Sequence, residues 1–107
     1  MITEKERLSA LVHEKPIVVV EIGSSRCCAC SAIAQKLEAH YGHDEMVEVV
    51  RLSLEAAAEL CADLGIYSAP AVLVYVQGQL TVREAGVMSV EDIFRRVARY
   101  RGLLEEN

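Results

Sequence analysis

The sequence predicts an α/β fold in which a mixed four-stranded sheet carries helices on both faces. Three observations point there. Helical and strand-like patterns alternate in the order α, β, α, β, α, β, β, α along the 107 residues. The run Ile17-Val18-Val19-Val20-Glu21-Ile22 is β-branched and apolar except at Glu21, as in a strand buried on both faces. Only Gln77-Gly78 separates the last two strands, so they return antiparallel and the sheet cannot be all parallel.

Thr3 and Glu6 have capping-box spacing, which starts a first helix over about 4–13 with Leu8, Leu11 and Val12 as its apolar stripe. Pro16 stops it, and the strand at 17–22 follows. A helical stretch from Ser31 to Tyr41 places Cys30, Ile33, Ala34, Leu37 and Tyr41 on one face, with Gly42 as its stop. Met46 to Leu52 reads as a second strand. Ser53 can cap a third helix in which Ala57, Leu60, Cys61 and Leu64 share a face and which Gly65 ends. Ala71 to Val76 is the third strand. Gly78 tolerates the positive φ of the tight turn, and Gln79 to Ala85 is the fourth strand. Ser89 and Asp92 cap a last helix with Val90, Ile93, Phe94 and Val97 toward the core. No repeat, linker or low-complexity segment interrupts this order, so one domain over 1–107 is expected.

Composition narrows the function classes. Hydrophobic residues make up 52% of the chain and mean hydropathy is +0.23, which suits a packed core and not a disordered chain. The net charge of −5 gives no general attraction for nucleic acid or an anionic membrane. No apolar run reaches the ~20 residues of a membrane span. The first residues, Met1-Ile2-Thr3-Glu4-Lys5-Glu6-Arg7, lack the apolar centre of a signal peptide, so a cytoplasmic location is expected. In a reducing compartment the four cysteines point to catalysis, metal binding or burial before structural disulfides.

Cys27-Cys28-Ala29-Cys30 is the most informative segment. Cysteines at i and i+3 on a first helical turn hold their Cβ atoms about 5–6 Å apart. A disulfide needs roughly 3.5–4.5 Å, so a small local adjustment makes or breaks the bond. A helix N-terminus also favours thiolate over thiol.

The strand–CxxC–helix unit at 17–41, Ser68-Ala69-Pro70 directly before the third strand, and Glu21 six residues before Cys27 together resemble the thioredoxin superfamily over nearly the whole chain. Gly86 after the fourth strand also falls where that family often has glycine. The resemblance implies a thioredoxin-like fold, here with an extra N-terminal helix in place of the family's first strand. The chain departs from the family's Trp-Cys-Gly-Pro-Cys: Arg26 stands for the tryptophan, Cys28 for the glycine and Ala29 for the proline.

The resemblance assigns roles residue by residue. Cys27 is the candidate nucleophile, with Arg26 adding positive charge beside it and a place in substrate binding. Cys30 is the candidate resolving thiol, and the two would form the redox-active disulfide. Glu21, where the family usually has aspartate, is the candidate proton relay for Cys30; the alternative is a strand-end glutamate reaching solvent. Ala69 and Pro70 would present backbone to an added substrate strand, with Pro70 in cis. Cys28 has three readings: a competing thiol, a third ligand for a soft metal or iron–sulfur cluster, or an exposed thiol in the variable middle of the motif. His13, His40 and His43 have no metal spacing to the cysteines and read as surface residues, and no metal site is assigned. Arg95, Arg96, Arg99 and Arg101 read as a solvated face of the last helix.

The implied function is thiol–disulfide exchange on protein disulfides, as a thioredoxin-like protein-disulfide reductase whose direction the sequence leaves open. No cofactor is implied, because the chemistry lies in two sulfur atoms. The implied partners are protein disulfides and a thiol reductant or flavoprotein reductase, with no nucleic acid or membrane, and the protein is expected to act as a monomer. Three other readings stay open: a non-catalytic binding module on the same fold, a metal- or iron–sulfur-binding protein using Cys27, Cys28 and Cys30, and a glutaredoxin-like use of glutathione.

Overall fold

The computed structural model describes residues 3–105. Its elements are α1 (Glu4–Glu14), β1 (Ile17–Gly23), α2 (Cys30–Tyr41), β2 (Val47–Ser53), α3 (Ala58–Asp63), β3 (Ala71–Val76), β4 (Gln79–Ala85) and α4 (Val90–Glu105). The sheet order is β2-β1-β3-β4. β1 runs parallel to β2 and antiparallel to β3, and β3 pairs antiparallel with β4, so the sheet is mixed as expected. Among the described residues no strand precedes β1.

Strand periodicity sorts the core into two layers. Ile17 and Val19 of β1 point to one face, where they pack with Ile33, Leu37 and Tyr41 of α2 and Val90, Ile93 and Val97 of α4. Val18, Val20 and Ile22 point to the other, against Leu8 and Val12 of α1 and Leu60 and Cys61 of α3. Glu21 shares the parity of Ile17 and Val19, which sends its side chain toward α2, the helix that begins with Cys30.

Local chemistry sets the element ends. The Thr3 hydroxyl accepts the Glu6 N–H at 3.1 Å, which caps α1. The Ser89 hydroxyl accepts the Asp92 N–H at 3.1 Å and caps α4. Gln77 and Gly78 have φ of 50° and 82°, the twist that a two-residue hairpin needs. Gly42 closes α2 in a right-handed conformation (φ −57°), so its role is close approach and not a left-handed turn: a Cβ there would run into the Glu38 carbonyl.

Two elements differ from expectation. Ser53 does cap the third helical region, accepting the Ala56 N–H at 3.1 Å. The segment 54–57 is nevertheless turn, and regular helix begins only at Ala58. Likewise Cys27 lies ahead of α2 and not on its first turn: the N-cap residue is Ala29, which makes no side-chain capping hydrogen bond.

Candidate active site

β1 ends at Gly23, and the chain turns through Ser24, Ser25 and Arg26 to Cys27 before α2 begins at Cys30. The Cys27 N–H donates to the Ser24 carbonyl at 3.1 Å, and the Cys30 N–H donates to the Cys27 carbonyl at 3.4 Å. This tight turn brings the Cys27 and Cys30 Cα atoms to 5.5 Å, and the two sulfurs form a disulfide. Cys27 is half-buried, whereas Cys30 is 4% exposed on the inner face of α2. The two sulfurs are therefore unequal: one meets solvent, and the other sits behind it in the core. A groove of about 510 Å³ opens over them, lined by Ser24, Ser25, Arg51 and Ser53 among others.

Behind Cys30 lies Glu21. It is fully buried, so the solvent-reaching alternative does not hold. Nor is it unpaired. Arg51, opposite it in the parallel β1–β2 register, donates from Nε to Glu21 Oε1 at 3.1 Å. The second oxygen, Oε2, is buried with no hydrogen-bond partner among the described residues. Gly23 shows where that oxygen points. A Cβ built on Gly23 would lie 3.0 Å from Glu21 Oε2, 3.4 Å from Cys30 Cβ and 3.7 Å from Cys30 Sγ. The free carboxylate oxygen and the inner sulfur thus flank one small space, which exists because position 23 has no side chain. Burial pushes the Glu21 carboxyl above its ordinary value of 4.5, and the Arg51 guanidinium only partly offsets this.

The Ala69–Pro70 peptide is cis. β3 begins at Ala71, opposite Ile22 near the end of β1, so Ala69 and Pro70 share the cysteine end of the sheet. The Gly86 N–H donates to the Pro70 carbonyl at 2.9 Å, which ties the end of β4 to this loop. Arg26 is exposed beside Cys27.

The remaining sequence candidates lie apart from this cluster. Cys28 is a free, exposed thiol, and Cys61 is free and buried beneath α1 and β1, where burial pushes its thiol up. His13, His40 and His43 are exposed, and His40 stacks on Phe94 with ring centroids 3.8 Å apart. Among the described residues no group of three or more His, Cys, Asp or Glu is placed to hold a metal ion. On α4, Arg95 pairs with Asp92, Arg96 with Glu84, and Arg101 with Asp44, so these three arginines serve as ion-pair partners on a solvated face.

Sequence reasoning missed Arg51 and Glu55. Arg51 lies on the edge strand β2, which also carries Glu48, so its charge alone does not single it out. Glu55, in the turn after β2, accepts from the Ser24 hydroxyl at 2.6 Å and from the Ser25 N–H at 3.0 Å. Nothing local in the sequence marks it.

A family model described as Thioredoxin matches residues 1–99. Over 70 residues the chain is 34% identical to a thioredoxin of Streptomyces clavuligerus, a match that spans 65% of this chain and 64% of that protein, just under two thirds of its length. It is 22% identical over 78 residues to thioredoxin-1 of Schizosaccharomyces pombe, spanning 73% of this chain and 76% of that one. Among solved structures it resembles spinach chloroplast thioredoxin f, with a TM-score of 0.78 at 19% identity over 92% of this chain and 90% of that one. Fasciola hepatica thioredoxin gives a TM-score of 0.76 at 23% identity over 87% and 90%. At these identities the structural likeness speaks for the fold. No helix among the described residues is long and apolar enough to cross a membrane.

Proposed function

The chain belongs to the thioredoxin family, and from that premise we propose that it reduces disulfide bonds in other proteins through Cys27 and Cys30. Family membership and the Cys27–Cys30 disulfide together support a thiol–disulfide oxidoreductase. The observation that carries the finer reading is the graded burial along one line: a half-buried Cys27, a buried Cys30, and a buried carboxylate oxygen beyond it.

In the reduced protein the Cys27 thiolate attacks one sulfur of a substrate disulfide. One bond forms from Cys27 to substrate, and the other substrate sulfur leaves as a thiolate that takes a proton from water. Cys30 then loses its proton to Glu21 and attacks the Cys27 sulfur. This releases the second substrate thiolate and leaves the Cys27–Cys30 bond. Two electrons have passed to the substrate. A thiol reductant or a flavoprotein reductase returns them and reopens the pair. Glu21 suits its part because burial raises the proton affinity of its carboxylate and because Oε2 has no competing partner among the described residues. Arg26, exposed beside Cys27, and the backbone at Ala69 and Pro70, at the cysteine end of the sheet, would hold the substrate chain. The proposal places this chemistry in the cytoplasm, where thiols are kept reduced.

Catalysed reduction of insulin with dithiothreitol as reductant tests the reading. The protein should accelerate precipitation of the separated insulin chain by about tenfold or more over reductant alone, since the dithiol acts at high effective concentration. Cys27→Ser should return the rate to background. A wild-type rate no faster than reductant alone would refute the proposal.

A further inference from the structure

The turn that carries Cys27 has an anchor of its own. Ser24 is its centre. The Ser24 carbonyl accepts the Cys27 N–H at 3.1 Å, and its hydroxyl oxygen accepts the Arg26 N–H at 3.3 Å while donating to Glu55 Oε1 at 2.6 Å. The Ser25 N–H donates to the same Glu55 oxygen at 3.0 Å. Glu55 is held in turn: the Ser53 hydroxyl reaches Oε2 at 3.4 Å, and the Leu54 N–H donates to the Gly23 carbonyl at 2.8 Å. The base of this arrangement is the β1–β2 ladder, whose last pair is Gly23 with Ser53.

Cys30 is held by α2 and the core. Cys27 precedes the helix and is located by Ser24. We infer that Glu55 is a positioning residue for the Cys27–Cys30 exchange, clamping the Ser24–Ser25 turn so that the Cys27 sulfur stays within bonding reach of Cys30. This rests on the exchange reading above. A ring closure is favoured in proportion to the effective concentration of its two ends, and that concentration falls when one end gains freedom. The Glu55 carboxyl sits below its ordinary value because the Ser24 hydroxyl and then the Ser25 N–H bond to it, so it is an acceptor at neutral pH.

The test is the equilibrium of the Cys27–Cys30 pair in mixtures of reduced and oxidised glutathione, with Tm measured in both redox forms. Glu55→Ala and Ser24→Ala should each lower the equilibrium constant for disulfide formation about fivefold, which is about 20 mV toward a more oxidising couple. The double variant should be little worse than either single one, because both remove the same clamp. Glu55→Gln keeps an acceptor oxygen without the charge and should stay within about twofold of the parent. The oxidised form should lose more Tm than the reduced form in Glu55→Ala. If Glu55→Ala and Ser24→Ala lower both Tm values equally and leave the equilibrium unchanged, Glu55 only stabilises the fold and the inference is overturned. If Glu55→Gln shifts the equilibrium as far as Glu55→Ala while Ser24→Ala does not, a charge effect replaces the clamp. A parent pair that does not exchange with glutathione at all would overturn the exchange reading itself, which separates the two failures.

Discussion

Replacing Cys30 by serine is expected to turn the protein into a trap that holds its substrate through a mixed disulfide on Cys27. The structure sets up this outcome by dividing the two sulfurs between solvent and core. Cys27 is accessible enough for another chain's disulfide, while Cys30, 4% exposed, can reach only the Cys27 sulfur. Removing the inner thiol leaves attack intact and resolution without its nucleophile. Well-oriented intramolecular groups reach effective molarities of about 10⁵ M or more, which a millimolar external thiol cannot replace, so turnover should fall by at least about 10³-fold. Cys27→Ser should lose turnover to a similar extent and trap nothing. Non-reducing electrophoresis after incubation with a disulfide-containing protein distinguishes the two variants. Equal trapping by both, or trapping by neither alongside wild-type turnover, would show that the roles are not divided this way.

The second large effect is on Glu21, and it has opposite signs in stability and activity. Its carboxyl is raised above 4.5 chiefly by burial, so the folded protein binds a proton more tightly than the unfolded chain. The stability that Glu21 contributes is fully present below the unfolded value of about 4.5 and is lost as pH rises from there through the folded pKa. Glu21→Gln removes the titrating group and keeps an oxygen for Arg51. The variant should therefore lack the loss of stability across that window and be more stable than the parent at neutral pH. The same change removes the proton acceptor beside Cys30 and should slow resolution of the mixed disulfide by about tenfold to a hundredfold while leaving the first attack nearly unchanged. Chemical denaturation across pH and stopped-flow resolution of a preformed mixed disulfide measure the two arms. Parallel pH profiles for parent and variant, or unchanged resolution, would take Glu21 out of the mechanism.

What could be read in advance, and what could not, follows from the range of the interactions. Strands β1 and β3 were legible because a buried strand is an unbroken apolar run. Glu21 was conspicuous for the same reason, as the one charge in such a run. The hairpin was legible from Gln77-Gly78, a local conformational signal, and the cysteine pair from its spacing. Arg51 and Glu55 were not, since each acts across about 30 residues of sequence through the parallel pairing of β1 with β2. Only the register puts Arg51 opposite Glu21 and the β2–α3 turn beside Ser24. The short α3 was misjudged for a related reason. Ser53 and Gly65 bracket a plausible helix, but the first residues after Ser53 are drawn into holding the cysteine turn and remain a turn themselves.

Which sulfurs exchange decides the mechanism. The most direct measurement is mass spectrometry of the alkylated protein after equilibration in glutathione buffers from strongly reducing to strongly oxidising. Cys27 and Cys30 should lose alkylation together, as a single two-electron step. Cys28, being free and exposed, should remain alkylated beside the closed pair, and Cys61 should react only after unfolding. A bond from Cys28 to either neighbour at equilibrium, or a Cys27–Cys30 pair that never changes state across the series, would contradict the account.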